Sequence, residues 1–138
     1  MARAYALVFG IAYLAVALLE VILGSDGFVI GDRASTNNLI LLVEPVHNAV
    51  HWLSGLVLLG SALAGEAVAR AVARVVGVAF LVLTVVGLMA GELTMGLLGY
   101  DGAPAVPISY TLVHAVTAAG GLYAGFARQS RRAGRLLR

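Results

Sequence analysis

The chain has 138 residues, 61% of them hydrophobic and only 12% charged, with a mean hydropathy of +0.97. A soluble domain carries about 25% charged residues, so lipid rather than water is the expected solvent for this single-domain length. All nine cations are arginine, the net charge is +2 and there is no cysteine, which excludes disulfides, thiolate metal sites, iron–sulfur clusters and a thiol nucleophile.

A helix needs roughly 20 apolar residues to cross a bilayer. The first stretch of that kind is about 5–23, "YALVFGIAYLAVALLEVIL". Its apolar part is longer than a signal-peptide core and no small-residue cleavage site precedes Ser25, so it reads as a retained span. Residues 24–38, "GSDGFVIGDRASTNN", read as a loop because Gly, Asp, Ser and Asn favour turns. A second span follows at about 41–63 and a third at about 71–93. "GYDGAP" makes the next loop, and the last span is about 106–126. Arg3, Arg70, Arg74, Arg128, Arg131, Arg132, Arg135 and Arg138 fall on one side of these spans. Only Arg33 falls on the other, with Asp26, Asp32 and Asp101. Arginine marks the cytoplasmic side, which puts both termini in the cytoplasm of a multi-pass protein of the cell membrane. The expected fold is all-α: an integral membrane four-helix bundle of two tandem helical hairpins, one domain over 1–138.

The chain also matches itself. "GIAYL" at 10–14 aligns with "GVAFL" at 77–81, an offset of 67 that carries His47 onto His114, Glu44 onto Thr111 and Val46 onto Val113 without a gap. Such an internal repeat predicts parallel hairpins related by an axis along the membrane normal.

The ionisable residues inside the spans converge on one end, the extracytoplasmic one: Glu20, Glu44, His47, His51, Glu92 and His114. Each such group costs several kcal/mol in a bilayer unless paired, which makes it a functional candidate. Glu44, His47 and His51 are three and four apart and so share one helical face, continued by Gly55 and Ala62. The matching face of the last span holds Thr111, His114, Ala118 and Gly125; small residues there allow close helix approach. Pro45 and Pro107 fall near helix starts, and a helix beginning at Pro45 would leave Glu44 as its cap.

Di-metal carboxylate bundles place one Glu on each of two helices and Glu-x-x-His on the other two. Glu20, Glu44-x-x-His47, Glu92 and Thr111-x-x-His114 follow that order, with Thr111 replacing one carboxylate. The loss weakens a symmetrical two-metal centre, while His51 adds a nitrogen. A single Zn, Fe, Mn or Cu ion on Glu44, His47, His51 and His114 is the simplest chemistry for this set. Haem needs two axial histidines at similar depth and sits badly beside glutamates. The same groups also suit a role as hydrogen-bonding glue, as in His47–Glu20 or His114–Glu92 pairs. The protein would then be a non-enzymatic accessory subunit of a larger membrane complex, or a homo-oligomer. A transporter is disfavoured because no polar line continues toward the cytoplasm. Tyr5, Tyr100 and Tyr110 fall where interfacial aromatics belong. The tail "RQSRRAGRLLR" suits anionic lipid headgroups and not nucleic acid. Phosphate-loop and catalytic-triad motifs are absent from the sequence, so no reaction follows from it.

"HNAVHWLSG", with His47, Asn48, His51 and Gly55, and the lone His114 of the last span carry a family resemblance. The chain resembles a group of small four-helix bacterial membrane proteins of unknown function, abundant in actinobacteria, with His-Asn-x-x-His-x-x-x-Gly on the second helix and His on the fourth. The likeness covers about 5–128. An Asn expected shortly before the fourth-helix His is missing from "VPISYTLVH". The resemblance implies the fold and the place of the site, and no activity.

Overall fold

The computed structural model describes residues 1–23, 28–30, 39–41, 45–89 and 108–127. Among them are four helices: α1 (Ala2–Leu23), α2 (Pro45–Ala64), α3 (Glu66–Met89) and α4 (Ile108–Phe126). The architecture is all-helical, with one small addition. Strands β1 (Phe28–Ile30) and β2 (Leu39–Leu41) pair antiparallel, Phe28 opposite Leu41 and Ile30 opposite Leu39. The strands move two boundaries away from expectation. The 24–38 segment contains a strand, and Leu41 belongs to β2 rather than to the second helix, which begins at Pro45. Proline fits the first helical position and disfavours helix in the residue before it. The apolar run ahead of Pro45 is thus free to pair as a strand.

At the other end of α2, a single residue makes the reversal. Gly65 has φ +113°; its N–H donates to the Ser61 carbonyl at 3.2 Å and its carbonyl accepts from Ala69 at 2.9 Å. That is a left-handed C-cap, for which glycine is suited. α3 consequently starts at Glu66, five residues before the expected edge at 71. Gly65→Ala is expected to cost about 1–2 kcal/mol, read as a lower unfolding midpoint in detergent.

Glu66 closes this end of the bundle. Its carboxylate accepts the backbone N–H groups of Ala2 and Arg3, both at 3.1 Å, and Arg70 lies 3.5 Å away. The first amides of a helix have no partner within it, and a carboxylate there also meets the positive end of the helix dipole.

Small residues set the helix pairs. A Cβ on Gly10 of α1 would fall 2.8 Å from the Leu59 nitrogen and 3.2 Å from the Gly55 carbonyl of α2. A Cβ on Gly77 of α3 would fall 2.6 Å from the Leu122 nitrogen of α4. Gly10 and Gly77 are 67 apart, as are Gly55 and Leu122. The two antiparallel pairs thus cross at equivalent positions. Among the described residues alanine accounts for eight of the thirteen buried apolar side chains, so much of the interior is held by backbone proximity. The large apolar residues point outward on all four helices, among them Ile11, Leu53, Leu63, Val75, Leu88, Leu112 and Val116. Among the described residues two helices, over Ala2–Leu19 and Glu66–Leu88, are long and apolar enough to cross a membrane, and the apolar part of α2, Asn48–Ala64, is shorter.

Candidate functional site

Of the α2 face expected to point inward, His51, Gly55 and Ala62 do so, Glu44 and the His47 side chain lie outside the described residues, and Asn48, not expected on that face, joins it. Asn48, His51 and Gly55 recur at intervals of three and four and all meet α1. The Asn48 side-chain amide donates to the Ala17 carbonyl at 3.1 Å. His51, only 8% exposed, packs on Tyr13 with ring centroids 5.6 Å apart. Gly55 lies against Leu14. On α4, His114 is half-buried and meets the Phe80 ring of α3 nearly edge-on, with centroids 5.3 Å apart. Tyr13 and Phe80 then touch each other, again at 5.6 Å. The order His51, Tyr13, Phe80, His114 is therefore one continuous layer of rings, with one member from each helix.

A polar hub sits one turn beyond His114 toward the Gly65 end. Thr117 is fully buried and its hydroxyl donates to the Val113 carbonyl at 2.8 Å. Its only proton is thereby committed, so the Tyr13 hydroxyl, 2.8 Å from Thr117 Oγ1, is the donor in that pair. The Tyr5 hydroxyl donates to the Thr117 carbonyl at 3.0 Å. Tyr5 is thus a core residue, stacked on Phe9 at 4.6 Å, and not the interfacial aromatic that its position near a span end suggests. Its burial is tolerated because the phenol finds a partner.

Tyr13, Phe80 and Thr117 were not among the expected site residues, although the sequence carries signals for them. Tyr5, Phe9 and Tyr13 follow one another at intervals of four, which aligns them on one helical face. Tyr13 and Phe80 are one of the two variable pairs in the "GIAYL" and "GVAFL" match, and Thr117 lies three residues after His114.

Of the residues expected to bind metal, the structure brings His51 and His114 to one layer. Glu44 and Glu92 lie outside the described residues, as do the side chains of Glu20 and His47, whose backbones belong to α1 and α2. Among the described residues no three His, Asp or Glu side chains gather closely enough to hold a metal ion. The described part of the site therefore offers two imidazoles, two aromatic walls and one fixed chain of hydroxyls.

No curated protein and no solved structure matches the chain. A family model does, over residues 3–127, nearly the whole extent on which the resemblance rests. The chain belongs to the family described as a domain of unknown function, DUF4383.

Proposed function

We propose that this is a small multi-pass membrane protein whose ring layer, near the extracytoplasmic face, is the base of a transition-metal site. The observation that carries the reading is the arrival of His51 and His114, one from each hairpin, at the same interior level. Imidazole nitrogen suits Zn, Fe, Mn and Cu alike. The remaining donors would come from Glu20, Glu44, His47 and Glu92, all near the Pro45 end of the bundle by sequence. The outward large apolar residues and inward alanines and glycines support the membrane reading, since helices in lipid associate through small residues. Arginine placement supports cytoplasmic termini. The equivalent crossings of Gly10 with Gly55 and Gly77 with Leu122 support a duplicated hairpin.

The test is elemental analysis of protein purified in mild detergent. We expect about one transition metal per chain at saturation, lost in the double variant His51→Leu, His114→Leu. A metal content near zero in the parent protein would reject the site. Asn48 and Gly55 favour a second reading, in which this stretch fastens α2 to α1. The Asn48 bond to Ala17 and the Gly55 approach to Leu14 need no ligand, so a metal-free protein that keeps its fold would leave this reading standing.

A further inference from the structure

We infer that Tyr13 and Phe80 form a floor beneath the two imidazoles, so that a small cation or proton reaches His51 and His114 only from the Pro45 end of the bundle and does not pass through. The inference rests on where the histidines sit and stands whether or not they hold a metal.

The rings themselves are the first support. His51, Tyr13, Phe80 and His114 link all four helices ring to ring through contacts of 5.6, 5.6 and 5.3 Å. Tyr13 and Phe80, the middle members, are 6% and 5% exposed.

The second support is the packing below them. From the ring layer to the Gly65 end the interior is closed by Leu58, Ala62, Ala69, Ala73, Ala118 and Ala124, each at most 5% exposed. The backbones of α1 and α2, and of α3 and α4, are pressed together at Gly10 and Gly77. An ion needs polar groups or water along its route, and closely packed alanine offers neither.

The third support is the direction of the hydrogen bonds. Tyr13 donates to Thr117, and Thr117 donates to the carbonyl of Val113. The chain ends on a helix carbonyl with no hydroxyl to hand a proton onward. The other buried hydroxyls on this side among the described residues also end on carbonyls, Tyr5 on that of Thr117 and Ser61 on that of Leu58 in its own helix. On the opposite side of the layer, by contrast, Thr111 and His114 both keep partial exposure.

The absence of cysteine from the chain makes the test direct. Single variants Thr111→Cys and Leu58→Cys, in the otherwise unchanged full-length protein, are placed in sealed vesicles. A small membrane-impermeant methanethiosulfonate cation is then added to either face. Thr111→Cys is expected to react from one face only. Leu58→Cys should react about 100-fold more slowly than it from both faces, because a fully buried thiol is reached only by local opening. Comparable rates at the two positions, or reaction of Thr111→Cys from both faces or from neither, would overturn the floor.

A measurement on the unmodified protein guards against variants that fold poorly. Proteoliposomes loaded with a pH-sensitive or metal-sensitive dye should show no more proton or Zn²⁺ entry than protein-free vesicles. Entry above that level overturns the inference even if metal is bound, and metal-free protein with a sealed floor overturns only the metal site.

Discussion

Alanine at position 77 is expected to destabilise the protein by about 2 kcal/mol or more, within or above the usual range for overpacked sites. The atoms that its Cβ would meet are the Leu122 nitrogen at 2.6 Å and the Gly121 carbonyl carbon at 2.9 Å. Both are backbone, so nothing can rotate aside and the whole of α4 must move. Gly60→Ala is the matched control. A Cβ there has no neighbour within 4 Å, and Gly→Ala within a helix is favourable by about 0.5–1 kcal/mol. The same chemical change should therefore lower the unfolding midpoint at 77 and leave it equal or higher at 60. Two equal shifts, in either direction, would show that α3 and α4 are not in backbone contact. Because Phe80 touches His114, parting these helices also disturbs the ring layer. If the site holds metal, Gly77→Ala should lose it in parallel.

Thr117→Val carries the second large effect. The substitution keeps the branched shape and removes the one acceptor of the Tyr13 hydroxyl. An orphaned buried donor costs about 1–3 kcal/mol, while interhelical hydrogen bonds within membranes reach at most about 1.7 kcal/mol; a loss of about 1–2 kcal/mol is expected. Tyr13→Phe in the same chain removes the orphan and should recover most of that loss. The pair therefore forms a double-mutant cycle with a coupling of about 1 kcal/mol. Strict additivity of the two substitutions would mean that the hydroxyls do not meet.

The helices were legible because apolar runs of their length leave few alternatives. The start of α2 was misplaced for a physical reason: "LILLV" before Pro45 is apolar whether it is strand or helix, and periodicity cannot separate the two in so short a run. The inward places of His51, Gly55 and Ala62 followed from spacing, whereas that of Asn48 did not. The Tyr13–Thr117 hub did not, because the pairing joins α1 to α4 across 104 positions of sequence. Tyr5 shows the same limit: hydropathy places a tyrosine at a depth, whereas the fold decides which way it turns.

Glu66 has a consequence for biogenesis. The amides that open α1 receive their acceptor from a residue more than sixty positions later. During translation the start of the first helix remains without this acceptor until the second has been made and the chain has turned at Gly65. Closure of that end is then a late event, and it registers that two helices have been delivered in the right order.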